Sequence, residues 1–576
     1  YTPLTRSADG GCVTQYAAGT LEKIGLLKMD FLGLINLSIL GQAVRNIKKT
    51  RGIDIDPRNL PLEYEHGEDT RKTYELLGNG ECVGVFQLES PAMRRYVAEL
   101  KPTSVRDLAA MVALYRPGPM AHIPRFVRCK HGLEKIEYPH PWLKELLEET
   151  YGVIVYQDQV MRIAQIISGY SLGQADILRR VMGKKKKEEM IAQREKFLEG
   201  SRSQGVKDKD ANNIFDLMEP FAGYAFNKAH AVCYAMVAYQ TAYLKANYPV
   251  EYMAALLACF VDKSDKLVVC MDECKRMKIA VLPPDVNTSD ADFTVEGQAI
   301  RFGLAAIKNV GRAAVEVMLR VREEGGAFQN MNDFCHRVVC EGGVSRGTIE
   351  ALIQCGAFGS MAGHGNRRAL IECLDDCMNG ANKAQKDKKS GQGSLADMFG
   401  GEEEATGTVQ MMTLPDLPEF GRDQLLGFER ELMGLYLSDH PLQTHLPTFA
   451  KRNCLKIAEL GELPDRHEVL LSGIITAMKP FTSKKSGEPM AFFTLEDMTA
   501  TVSVTIFPSN FAQWGDAIAK DAIVMVKGKT NYRDRMRDDD EGEKTVELLA
   551  DEVYTVSGGA GKADAVSRKI IIRLDE

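Results

Sequence analysis

Apolar residues recur at Val160, Ile163, Ala164 and Ile167, the i, i+3, i+4, i+7 spacing of one helix face. The same period dominates from about 46 to 275, and the apolar segment from Ala229 to Ala246 stops just before Pro249, where a helix must end. Tyr115-Arg116-Pro117-Gly118-Pro119 and Tyr138-Pro139-His140-Pro141 interrupt this region as rigid loops. Upstream, within 1–45, a Gly/Thr-rich opening leads into a short apolar run from Ile24 to Leu34. Its period-two alternation sets Lys28 and Asp30 on one face and predicts a charged strand. Between 276 and 380, short helical segments alternate with glycine turns, Ile307-Lys308-Asn309-Val310-Gly311 and Leu352-Ile353-Gln354-Cys355-Gly356. Residues 380–425 are polar and Gly-rich, with a basic run from Lys383 to Lys389 ahead of Glu402-Glu403-Glu404. A flexible linker is expected there, carrying one apolar island, Leu395-Ala396-Asp397-Met398-Phe399. From 466 to 556 the period falls to two, in Val469–Ile475, Ala491–Leu495, Val502–Phe507 and Ile523–Val526. Turns such as Ser486-Gly487 separate these runs, which predicts a small β-barrel.

At 576 residues the chain suggests about four domains. Apolar residues at 45% and charged residues at 26% exclude a wholly disordered or collagenous chain. No run of eighteen apolar residues exists, so no membrane partner or span is expected. The thirteen cysteines contain no CxxC pair, and Cys270/Cys274 and Cys373/Cys377 are helical i, i+4 steps without partnering histidines. Reduced structural thiols in a cytoplasmic protein are the expectation. A net charge of −7 argues against a protein that coats nucleic acid throughout, so any such contact must be local. The chain opens on Tyr1 and closes directly after the strand-like Lys569-Ile570-Ile571-Ile572, as though cut from a longer polypeptide.

Several clusters could carry chemistry. A carboxylate at a strand end can hold Mg²⁺ while a neighbouring lysine neutralises phosphate, which suits Asp30 and Lys28; a surface ion pair is the alternative. Arg179-Arg180, followed by Gly183 and Lys184 to Lys187, gathers six positive charges in nine residues. Flanking apolar residues would fix a helix from which adjacent guanidiniums diverge by about 100°, gripping two sides of a polyphosphate; a solvated helix end is the alternative. Phe221 to His230 combines aromatics, Lys228 and His230 at a helix start, with Tyr224 offering a flat face to a base or sugar; a buried aromatic cluster would look the same. The glycine turns, with Lys308 and Gly311 in the first, suit helix-hairpin-helix units that hold a DNA phosphate. Phe481, Phe492 and Phe493 with Lys479, Lys484 and Lys485 suit base stacking above a charged groove, although at least one of the adjacent phenylalanines must face the core.

These residues resemble one family, the alpha subunit of bacterial DNA polymerase III. The motifs that carry the resemblance are Leu27-Lys28-Met29-Asp30-Phe31-Leu32-Gly33-Leu34, Gly84-Val85-Phe86-Gln87-Leu88-Glu89-Ser90, Leu114-Tyr115-Arg116-Pro117-Gly118-Pro119, and Leu178-Arg179-Arg180-Val181-Met182-Gly183-Lys184-Lys185. Phe221 to His230 and Arg301 to Gly311 extend it. The resemblance implies a multi-domain α+β architecture: the C-terminal part of a polymerase palm in 1–45, helical fingers in 46–275 and tandem helix-hairpin-helix units in 276–380. A linker in 381–430, a connector in 431–465, an OB-type β-barrel in 466–556 and the start of a further domain in 557–576 would follow. It implies a DNA-directed DNA polymerase acting in replication, with Asp30 as one of three palm carboxylates on catalytic Mg²⁺ and Lys28 beside the phosphates. Arg179 and Arg180 would meet the triphosphate, with Tyr224 and His230 lining the nucleotide pocket. DNA would meet Lys184, Lys185, Lys308, Gly311, Lys484 and Phe492, and Leu395, Asp397, Met398 and Phe399 would dock on the sliding clamp. Partners implied are primed template DNA, dNTPs, the clamp, other polymerase III holoenzyme subunits and a missing N-terminal part of the chain. The family's other two palm aspartates lie in a motif upstream of Tyr1, so this piece alone is expected to be inactive. A non-catalytic DNA-binding scaffold with the same modules is the alternative.

Overall fold

The computed structural model describes residues 1–7, 10–29, 33–116, 118–184, 187–222, 226–261, 263–361, 366–390, 414–482, 487–534 and 544–556. The longer helices of the first half are α1 (Ile35–Arg51), α2 (Glu68–Gly78), α3 (Val105–Leu114), α4 (Gln157–Ser168), α5 (Leu172–Lys184), α6 (Lys187–Ser203), α7 (Asp208–Ala222), α8 (Lys228–Asn247) and α9 (Pro249–Cys259). The second half adds α10 (Arg312–Gly325), α11 (Met331–Glu341), α12 (Arg346–Gln354), α13 (Arg367–Ser390) and α14 (Arg422–Met433).

Helix α8 is the axis of the larger helical core. Small residues Ala231, Ala235, Ala238 and Ala242 let α1, α2, α3 and α9 approach it, and Tyr239, Thr241, Leu244 and Lys245 are buried around the same helix. Lys245 has no exposed surface; its ammonium donates to the carbonyls of Glu81 and Val83 and pairs with Glu273. Burying this cation is tolerated because every donor direction meets oxygen. The core continues without a break through α10, α11 and α12 into α13 and the end of α14.

Helices α4 to α7 enclose a second core. Val160, Ile163, Ala164 and Ile167 of α4 are all fully buried there, as their spacing predicts, against Leu178 and Met182 of α5 and Phe197 and Phe215. The third core fills a closed barrel of β1 (Glu468–Thr482), β2 (Pro489–Glu496), β3 (Thr501–Ile506), β4 (Ile523–Asp534) and β5 (Lys544–Thr555), in the order β5-β3-β2-β1-β4. The β5–β3 pair that completes it is parallel, and β4–β5 is antiparallel. The fold is thus multi-domain α+β, largely helical with a five-stranded barrel.

Two local expectations change. The run from Ile24 to Leu34 contains no strand among its described residues. Strands lie earlier, Leu4–Arg6 against Cys12–Thr14, and Leu27 and Met29 are exposed. Alternation makes a strand only where a neighbouring strand satisfies its ladder. The polar stretch 380–425 is overlapped at its start by α13, which runs to Ser390, and at its end by α14 from Arg422; Ala381 is buried and Gln385 donates to the Cys340 carbonyl.

Candidate functional site

Helices α4 and α8 start side by side. The Gln157 amide donates to the Phe226 carbonyl at 2.9 Å and the Phe226 amide to the Val155 carbonyl at 3.3 Å, so a short parallel bridge between Tyr156 and Phe226 locks the two helix starts together. Asn227 caps α8, accepting from the His230 amide at 3.0 Å, and Asp158 accepts from the Lys228 amide at 3.2 Å. Lys228 turns away to Glu149, 2.7 Å distant.

His230 and Tyr234, four apart on α8, share one face of the helix, and Phe226, just ahead of the Asn227 cap, continues their row of rings. Ring centroids are 5.1 Å apart for Phe226 and His230, and 4.2 Å for His230 and Tyr234. Phe86 extends the row of tilted rings, 5.1 Å from Tyr234, and the Arg116 guanidinium lies 4.7 Å above Phe226 at the other end. His230 is exposed at its middle. Phe86 is held by its amide, which donates to Thr241 Oγ1, and by the turn at Gly84, whose carbonyl accepts from the buried Tyr252 hydroxyl. Phe86, Arg116 and Tyr234 had no assigned role in the sequence; the i, i+4, i+8 recurrence of rings from Phe226 was the available signal.

On α5, Ala175, Leu178 and Met182 face the second core, leaving Arg179 and Arg180 on the outer side. Their guanidiniums do not diverge as expected. Both turn back to Asp176: Arg179 Nη2 lies 2.9 Å from Oδ1 and Arg180 Nη2 2.9 Å from Oδ2. Cα directions do differ by about 100°, but long side chains at i+3 and i+4 both reach residue i. The hydrogen bond from Arg179, with the charge of Arg180, holds the Asp176 carboxyl below its usual range.

Lys308 and Asn309, whose φ is +68°, are exposed at the tip of the first glycine turn, while Ile307 and Val310 anchor it in the core. Gly311 caps α10 with open space around its Cα. The Lys308 amide donates to the Leu432 carbonyl of α14 at 2.8 Å, and its residue borders a 1060 Å³ cleft shared with Arg430, Tyr436, Thr476 and Lys520. The second expected turn differs: Gly356, at φ +83°, follows the end of α12 and leads into a loop. A further turn between helices is Gly342-Gly343, from α11 to α12, both glycines at positive φ, with Ser345 Oγ accepting from the Thr348 amide. In the barrel, Phe493 faces inward and Phe492 is half-buried beside exposed Phe481, 6.0 Å between centroids, with Lys479 directly across from Phe492.

Lys28 is exposed in coil after a short helix. Asp30, Tyr224, Lys185, Lys484, Leu395, Asp397, Met398 and Phe399 lie outside the described residues, and of Lys184 only the backbone is described, at the end of α5. Among the described residues, no group of three or more His, Cys, Asp or Glu could hold a metal ion, and no helix is long and apolar enough to cross a membrane. The described residues thus form two separate groupings, a row of edge-on and tilted rings that ends in a cation, and a pair of guanidiniums on one carboxylate, suited to anions.

Residues 36–205 match the family described as bacterial DNA polymerase III alpha subunit finger domain, 278–370 a helix-hairpin-helix motif, and 469–556 an OB-fold nucleic acid binding domain. The chain is 43% identical to the DNA polymerase III subunit alpha of Saccharopolyspora erythraea, over 98% of its own length and 46% of that protein's. It is 41% identical to the subunit of Thermus aquaticus, over 93% and 43%, and 40% identical to that of Borreliella burgdorferi, over 92% and 45%. The chain spans somewhat less than half the length of these relatives.

Proposed function

We propose, for a chain that belongs to the bacterial DNA polymerase III alpha-subunit family, that it serves template-directed DNA synthesis as the fingers and DNA-holding part of a replicative polymerase. The reaction is transfer of a nucleotidyl group: a primer 3′-hydroxyl attacks the α-phosphorus of a dNTP and pyrophosphate leaves. In this reading Arg179 and Arg180 meet the triphosphate, His230 and Tyr224 border the nucleotide, and Lys28 lies toward the phosphates. Lys184, Lys185, Lys308 and Gly311 hold DNA phosphates, while Lys484 and Phe492 meet single-stranded template. Leu395, Asp397, Met398 and Phe399 form a peptide for a sliding clamp, and further holoenzyme subunits complete the assembly.

Divalent magnesium would stabilise the entering and departing oxygens, and Asp30 is the residue this reading gives it. Asp30 lies outside the described residues; the described Arg179, Arg180 and His230 are read as positioning phosphates and bases.

The observation that carries the reading is the guanidinium pair on α5, fixed by a buried helix face inside the finger-domain match. In the complete replicase, Arg179→Ala with Arg180→Ala should lower nucleotide incorporation by at least about 100-fold, as loss of charged transition-state contacts does. Primer–template affinity should change by less than about threefold. Equal loss of both would favour a DNA-binding scaffold without chemistry.

A further inference from the structure

Arg179 and Arg180 reach the same point on α5 because one residue stands between them. Asp176 lies three and four positions earlier, and side chains on a helix lean toward its N-terminus, so both arginines fall back onto that carboxylate. The arrangement divides the oxygens. Arg179 gives Nε at 3.2 Å and Nη2 at 2.9 Å to Oδ1, and Arg180 gives Nη2 to Oδ2. The carboxylate takes no Nη1 proton of Arg179.

Two adjacent guanidiniums repel, and each is a long side chain with many rotamers. The Arg179 side chain is 26% exposed and gripped partly by its surroundings, whereas that of Arg180 is 59% exposed and would splay without an anchor. A single carboxylate offsets the repulsion, leaves a net charge of +1 on the trio, and uses its two oxygens to align the forks.

We propose that Asp176 is a positioning residue, which gathers Arg179 and Arg180 into one anion-binding fork before a triphosphate arrives. The proposal deepens the reading above and rests on it: the arginines meet the nucleotide, and Asp176 acts only through them. Its contribution is preorganisation, since a ligand that finds both forks aligned does not have to order them.

The test is dNTP affinity in the complete replicase bound to a primer–template whose primer ends in a dideoxynucleotide, a measurement that requires no chemistry. Asp176→Asn should weaken dNTP binding about tenfold, the scale of ordering one long side chain. Primer–template affinity and melting temperature should stay unchanged. Asp176→Glu, which keeps the carboxylate within reach of both arginines, should restore most of the affinity. In an Arg179→Ala, Arg180→Ala background, Asp176→Asn should have no further effect, because the cycle closes only if Asp176 works through the pair.

Unchanged or tighter dNTP binding by Asp176→Asn, where the arginine variant binds weakly, would overturn this inference and leave the nucleotide site standing. So would a tenfold loss that persists without the arginines, the mark of a merely structural role. Undiminished dNTP binding by the arginine variant would overturn the nucleotide reading and this inference together.

Discussion

Gly84 adopts a φ of +73°, in the left-handed region, and a Cβ there would sit 2.6 Å from Cδ2 of Leu256, inside any allowed contact. Two residues on, Phe86 packs on Tyr234, which in turn packs on His230. Gly84→Ala should therefore cost about 1–3 kcal/mol, measured by denaturant unfolding of the chain, and should disturb His230 without touching it. An unfolding midpoint equal to the unsubstituted chain's would show that the turn relaxes freely. The motif from Gly84 to Ser90 was legible as a family signature, but its physical reason was not. A left-handed turn beneath a buried leucine depends on α9, more than 160 residues away. The arginine pair was the reverse case: the residues and their helix were readable from local pattern, while their convergence needed Asp176, whose role only side-chain reach reveals.

At the scale of elements, helices were far more legible than the strand expected at Ile24–Leu34. The stripe on α4 and the end of α8 before Pro249 depend on nearby residues alone, whereas a strand depends on partners elsewhere. The β-barrel was readable because four of its strands announce each other within ninety residues; β5, which closes it, carries charges that blur its alternation. Contacts between helices were beyond reach. One of them predicts a pH response. Arg51 at the end of α1 pairs with buried Glu251 on α9 at 2.6 Å, and Thr50 donates to the same carboxylate. Burial pushes the Glu251 carboxyl up, but hydrogen bonds from Arg51, its own backbone and Thr50 outweigh it and hold the group below its ordinary 4.5. A depressed carboxyl stabilises fully above its unfolded value and loses that stabilisation as pH falls through the folded one. The stability of the chain should thus decline below about pH 4.5 more steeply than that of Glu251→Gln, followed by denaturant unfolding across pH 3–6. Parallel curves would show that the pair contributes nothing to acid sensitivity.

For the whole molecule, a net charge of −7 requires the proposed contacts with DNA to be confined to local surfaces. Binding to duplex DNA should still weaken steeply with salt, log affinity falling by about 0.9 per phosphate neutralised for each decade of salt. Lys308→Ala should flatten that slope by about one, as expected for one phosphate contact. An unchanged slope would remove the hairpin from the interface. Whether the Arg179–Arg180 fork receives the nucleotide is decided by the structure of the complete replicase with primed template and an incoming dNTP. Guanidinium nitrogens of both residues should lie within about 3 Å of triphosphate oxygens, their contacts to Asp176 kept on the opposite edge. A triphosphate bound elsewhere, with both arginines still turned only to Asp176, would refute that role for the fork.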